Sequence, residues 1–343
     1  MTEYFISGDI GGTKTLLQAA ELSEGRTQVR YERRYPSYGY PSFSDVLKDF
    51  LAGAKNSGLG DSPATACFAV AGPIAKQRVS VTNLPWVMDS AAIASEFSIP
   101  DVKLINDFAA VALSIEILPE SELVTLQVGK PYAGAMRVAL GAGTGMGVAW
   151  LVRQGDRYMP LPTEAGHTDF APANEMQGRL LQYLRKEFGH VSVERVLSGP
   201  GLTNIFNFLV DSHFPDVPDR RSGPELERVR LDDDDGGAQV SDLAFKHKHP
   251  IAVKAMDLFV EIYGAYAGNL ALAGLTRNGV YVAGGIAPKI IDKLKEGSFM
   301  KAFCDKGRFS ALMGEIPVHV VMNTSAGLLG ARQEAQRMLL KND

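Results

Sequence analysis

Three short apolar runs each break into a cluster of glycines, and this pattern restricts the chain more than any other. Tyr4–Ser7 leads into Gly8-Asp9-Ile10-Gly11-Gly12-Thr13, Val138–Leu140 into Gly141-Ala142-Gly143-Thr144-Gly145-Met146-Gly147, and Val280–Ala283 into Gly284-Gly285. Apolar runs closed by glycine read as strands ending in tight turns. After the first two turns the chain re-enters strand, at Leu16–Glu21 and Val148–Val152. This strand–turn–strand echo is what two similar α/β lobes would produce. A glycine turn with a hydroxyl residue can aim several backbone N–H groups at one phosphate, although any one such turn taken alone reads as a simple β-turn. Asp9 adds a constraint. A carboxylate among phosphate-facing amides repels the phosphate unless Mg²⁺ or its water shell lies between them. The competing reading is an aspartate that stabilises its own turn.

Other glycine motifs fail. A GxGxxG fingerprint needs glycine where Met146 stands, and the turn leads into a strand rather than a helix. A Walker loop needs Gly-Lys adjacent, and Thr13 separates Gly12 from Lys14. The closest approach to GxSxG is Asn323-Thr324-Ser325-Ala326-Gly327, which opens on asparagine, and HExxH is absent.

The 343 residues suit two domains rather than one core. A net charge of −4 argues against general nucleic-acid or membrane-surface binding. Of the two cysteines, Cys67 lies in the apolar run ACFAVAG and reads as a core thiol; neither has a CxxC partner for zinc. No apolar run reaches the roughly 18 residues of a membrane helix. The N-terminus enters structure without a signal-peptide pattern. A cytoplasmic location is therefore expected.

Further strands are expected at Ala64–Ala71, Val102–Ile105 and Val318–Met322. Helices are expected from Phe108 to about Leu118, over Glu175–Gly189 and Ile251–Leu275, after Pro288, and over Ala326–Leu340. Asp211–Ser241, with three prolines and the run Asp232–Asp235, reads as an irregular solvated insertion.

The chain resembles the bacterial glucokinases of the sugar kinase, heat-shock ATPase and actin superfamily. The resemblance is carried by GDIGGT (8–13), LINDFAAVA (104–112), LGAGTGMGVAWL (140–151), LPTEAGHTDFAP (161–172), SVERVLSGPGL (192–202), VYVAGGIAP (280–288) and SAGLLGA (325–331), and it spans nearly the whole chain. The related repressor/open-reading-frame/kinase sugar kinases share DxGGTK and ExGH, but carry a cysteine cluster that does not follow His167 here. Sugar-sensing regulators on this fold carry a DNA-binding segment before the first glycine loop, which here begins at Gly8.

The resemblance implies a two-lobed, actin-like and ribonuclease-H-like α/β ATPase fold with a deep interlobe cleft. The smaller lobe would comprise 1–117 plus 323–343, and the larger 118–322 with the insertion at about 211–241. It implies a homodimer that transfers phosphoryl from ATP, with Mg²⁺, to the 6-hydroxyl of glucose. Mannose, glucosamine or a non-catalytic sensing role are the alternatives. Nucleotide binding falls to Gly8, Asp9, Gly11, Gly12, Thr13, Gly143, Thr144, Gly145, Gly284 and Gly285, with Asp9 meeting Mg²⁺ through water. Sugar binding falls to Asn106, Asp107, Glu164, His167 and Glu194, and Asp107 is implied as the general base. Read from their surroundings alone, Asp107 is a helix N-cap, Asn106 a turn residue, His167 a structural hydrogen-bonder, and Glu194 one half of a surface ion pair with Arg195.

Overall fold

A computed structural model describes residues 3–23, 25–212, 231 and 235–342. The chain divides into two compact units, one of Met1–Leu118, Gln154–Pro162 and Ser325–Asp343, the other of Pro119–Arg153 and Thr163–Thr324.

The first unit is built on β1 (Tyr4–Ile10), β2 (Lys14–Ser23), β3 (Arg26–Pro36), β4 (Thr65–Val70) and β7 (Asp101–Asn106), in the order β3-β2-β1-β4-β7. The hairpin of β1 and β2 is antiparallel, whereas β4 runs parallel to both β1 and β7. Side chains alternate across the sheet. Tyr4, Ile6 and Ile10 join Phe43, Phe50, Phe68 and Trp86 in one core, and Phe5, Cys67, Ala69 and Ile105 pack with Ala331, Ala335 and Leu339 of the helix Ala326–Asn342 on the other face. A small hairpin of β5 (Arg78–Ser80) and β6 (Val87–Asp89) stands beside it. The side chain of Gln77 lies along the outer edge of β7. Its Oε1 accepts the Leu104 N–H at 2.8 Å and its Nε2 donates to the Leu104 carbonyl at 3.3 Å.

The second unit is built on β8 (Leu123–Gln127), β9 (Arg137–Ala142), β10 (Met146–Gln154), β12 (Val280–Ala283) and β13 (Val318–Val321), ordered β10-β9-β12-β13-β8. Its core forms where Val138, Leu140, Val282 and Val320 meet the helices Gly199–Asp211, Pro250–Gly274 and Ser298–Cys304. The longest of these begins at the His249 N-cap, with Pro250 in its first turn, and ends at Leu275 in the left-handed conformation.

The structure corrects several expectations. The first strand runs on through Gly8 and Asp9 to Ile10, so the turn proper is Gly11–Thr13. The long strand β3 was not expected, because its sequence RTQVRYERRYP lacks a buried alternating face. The insertion gives way to a helix at Gly236–Phe245, earlier than the expected end at Ser241; of Asp232–Asp235 only Asp235 lies within the described residues. Gln154–Pro162, read with the larger lobe, groups with the first unit, where Tyr158 N donates to Glu116 Oε1 at 3.4 Å. That segment carries most of β11 (Arg157–Thr163).

Candidate active site

In the first unit, β1 and β2 deliver the turn Gly11–Thr13. Gly11 N–H donates to the Lys14 carbonyl at 3.0 Å, and Ser37 N–H to the Thr13 carbonyl at 3.1 Å. The Ser37 hydroxyl donates to the Gly11 carbonyl at 2.8 Å and lies 3.0 Å from Thr15 Oγ1. Ser37 is fully buried and fixes the turn from a distance in sequence that no local motif announces. Gly8 is not part of this turn. It sits in the sheet, where a Cβ would meet Leu17 and Phe68. Asp9 projects from the opposite face toward the start of the helix Ala326–Asn342, its carboxylate 3.3 Å from where a Cβ on Gly327 would stand. Burial holds its carboxyl above the ordinary range, and the charge of Lys14 pulls it partly back.

Strand β7 ends at Asn106, and the helix Asp107–Ser114 follows. The cap expected of Asp107 is made by Asn106, whose Oδ1 accepts from Phe108 N at 3.0 Å and Ala109 N at 3.1 Å. Asp107 is the first helical residue, and its Oδ1 accepts from Phe108 N at 2.8 Å.

In the second unit, Glu164, His167 and Glu194 come together. His167 Nε2 lies 3.9 Å from Glu164 Oε2, and its Nδ1 lies 4.0 Å from Glu194 Oε1. Two short helical turns, Ala165–His167 and Val193–Arg195, present them. Glycine stands at 166 for closeness rather than for turning: a Cβ there would lie 2.0 Å from the Met146 carbonyl oxygen. Tyr266 pins the first turn from behind, its hydroxyl donating to the Ala165 carbonyl at 2.7 Å. Burial pushes that hydroxyl up to about 12, so it stays protonated at neutral pH. The imidazole and two carboxylates supply donors and acceptors for a polyhydroxylated ligand. Arg195, expected to pair with Glu194, stacks its guanidinium on Phe188, 4.1 Å from the ring centre.

The second glycine loop leaves β9 just after Ala142, whose N–H donates to the buried Tyr263 hydroxyl at 3.0 Å. Gly143 N–H donates to the Gly145 carbonyl at 2.8 Å, tightening the loop. Gly143, Thr144 and Gly285 line a cavity of about 690 Å³ that also takes in Pro200, Phe245 and Lys289. Gly284 adopts φ +83°, a conformation that a side chain disfavours, and a Cβ there would stand 2.6 Å from the Ala142 carbonyl oxygen. Sequence reasoning missed the wall formed by Gly199, Pro200, Ser241, Phe245 and Lys289. The available signal was Ser198-Gly199-Pro200, an N-cap followed by proline in the first helical turn.

Among the described residues no group of three or more His, Cys, Asp or Glu side chains could hold a metal ion. Asp9 alone fits a Mg²⁺ that keeps most of its waters and is held chiefly by phosphate oxygens. No described helix is long and apolar enough to cross a membrane.

The Glucokinase family model matches residues 6–338. The glucokinase of Nostoc punctiforme is 40% identical over 346 residues, covering 97% of this chain and 99% of that protein. Among solved structures, a glucokinase from an Antarctic psychrotroph superposes with a TM-score of 0.80 at 29% identity, covering 98% of this chain and 100% of that one. A ROK family glucokinase from Streptomyces griseus, in complex with glucose and AMPPNP, shares the fold at a TM-score of 0.61 and 21% identity, covering 97% of this chain and 99% of that one.

Proposed function

The chain belongs to the glucokinase family, and from that premise we infer that it transfers the γ-phosphoryl group of ATP to the 6-hydroxyl of D-glucose. The observation that carries this reading is the convergence of Glu164, His167 and Glu194 beside a glycine loop that also lines a cavity. Glu164, His167, Glu194 and Asn106 are assigned to sugar hydroxyls. Asp107 is assigned the proton of the 6-hydroxyl. The hydroxyl oxygen bonds to the γ-phosphorus as the bond to the bridging oxygen breaks, ADP leaves, and the proton passes to the Asp107 carboxylate. Such transition states are loose, so alignment matters more than base strength. Gly11, Gly12, Thr13, Gly143, Thr144 and Gly145 are assigned to the phosphates, and Gly284 and Gly285 to the adenosine. Bound Mg²⁺ would neutralise phosphate charge, with Asp9 holding its water shell. A homodimeric, cytoplasmic form belongs to the same proposal and is supported by the family resemblance.

An ADP-release assay with Mg-ATP across a hexose panel tests the reading. Glucose is expected to be turned over best; a clear preference for mannose or glucosamine, or no turnover, would overturn it. Chelation by EDTA should abolish turnover, and added Mg²⁺ should restore it while zinc does not. The chelated protein should melt at its original temperature, because the metal is expected to arrive with the nucleotide. Replacing His167 by Ala should weaken glucose binding about tenfold or more, since a hydrogen bond to a charged group contributes about 1.5–3 kcal/mol. Calorimetry that shows unchanged glucose affinity in this variant would remove His167 from the sugar site.

A further inference from the structure

Glu194 divides its carboxylate between two neighbours. Oε1 faces His167 Nδ1 at 4.0 Å, on the sugar side. Oε2 accepts the backbone N–H of Met146 at 2.8 Å, where the second glycine loop closes into β10. Gly145 leaves room for that contact, because a Cβ there would stand 2.5 Å from Oε2. The chain beyond Glu194 returns to the same loop. The Ser198 hydroxyl donates to the Glu194 carbonyl at 2.7 Å and accepts from Gly201 N at 2.9 Å. Gly199 N–H then donates to the Gly143 carbonyl at 2.8 Å, and Gly199 and Pro200 form part of the cavity wall. Residues 194–199 are thus fastened to the glycine loop at both ends, at Met146 through a side chain and at Gly143 through backbone. One end carries an assigned sugar ligand and the other borders the assigned nucleotide cavity.

We propose that Glu194 is a positioning residue for the nucleotide as well as a sugar ligand, so that one carboxylate couples the two substrates. By holding the Met146 N–H it fixes the shape of Gly143–Met146, and a glucose hydroxyl bonded to the same carboxylate stiffens the same segment. Linkage then requires that glucose tighten nucleotide binding by the factor by which nucleotide tightens glucose binding. The inference rests on the glucose and ATP reading of this site.

The test is calorimetric titration of Mg-ADP into sugar-free protein, comparing wild type with Glu194→Ala and Glu194→Gln. Glu194→Ala should bind about fivefold or more weakly. Glu194→Gln should recover wild-type ADP affinity, because its amide oxygen can still accept the Met146 N–H, while its glucose affinity stays reduced. Saturating glucose should tighten ADP binding to wild type by about fivefold or more, and this gain should vanish in Glu194→Ala. Unchanged ADP affinity in Glu194→Ala, or a Gln variant as weak as the Ala variant, would overturn the proposal. A wild-type chain that binds neither glucose nor ADP would overturn the reading of the site itself. That result is distinct from lost coupling, in which wild type binds both.

Discussion

Asp107→Asn is expected to fold, to bind glucose and to turn over about 10²–10⁴-fold more slowly than wild type, the usual effect of removing a general base. The structure sharpens this prediction. The cap of the helix Asp107–Ser114 is Asn106, which accepts from two backbone N–H groups, so substituting Asp107 does not uncap the helix. Asp107 places a negative charge in the first turn, and its Oδ1 accepts from Phe108 N. A charge at that position stabilises a helix by about 0.3–1 kcal/mol, a small part of a domain's stability. The melting temperature should therefore hardly move while kcat collapses. The check is steady-state kinetics beside a thermal melt. A variant that melts normally and turns over at more than a tenth of the wild-type rate would leave Asp107 with a helix-stabilising role only, and would send the search for the base elsewhere.

Gly330→Ala should be the most damaging single methyl added to the first unit. Gly330 lies on the helix Ala326–Asn342, and a Cβ there would stand 1.8 Å from the Ala110 carbonyl oxygen and 2.6 Å from its carbon, on the helix that Asp107 opens. Both atoms are backbone, so no flexible side chain can yield and the two helices must separate. Overpacking of this kind costs about 1–3 kcal/mol and sometimes more, against roughly 1 kcal/mol gained by alanine over glycine in a helix interior. The variant is expected to melt several degrees lower. It should also lose activity by about 10²-fold, because a shift near 1 Å in a reacting group has that effect. Thermal melts and kinetics on the same preparation decide the matter. Wild-type values in both would show that these helices tolerate separation and that Asp107 does not depend on their spacing.

Much of this site could be read from the sequence where the chemistry is local. The strand Val280–Ala283 came out with its observed limits, since four buried apolar residues meet a glycine whose φ is positive. The meeting of Glu164, His167 and Glu194 followed only from the family resemblance. Three features stayed hidden for physical reasons. Strand β3 is held by hydrogen bonds to β2 while exposing Arg, Glu and Gln side chains, so it shows no hydrophobic period. The helix Gly199–Asp211 begins in Gly-Pro-Gly, which reads as loop until Ser198 is seen accepting from Gly201 N. Asn106 and Asp107 are adjacent and both suit a cap, and the choice between them depends on where β7 stops, a limit set by its pairing with β4 rather than by either residue.

The Gln77 amide laid along Leu104 bears on how this protein behaves when concentrated. An outermost strand is an open row of donors and acceptors onto which another chain can zip. At β7 that row is already engaged at Leu104 by a side chain that mimics a strand, and at the far side of the same sheet β3 presents Arg26, Arg30, Glu32, Arg33 and Arg34. One margin is plugged and the other is guarded by charge. Gln77→Ala would unplug the first, and the variant should form thioflavin-positive aggregates on warming sooner than wild type, even if the rest of the molecule melts at the same temperature.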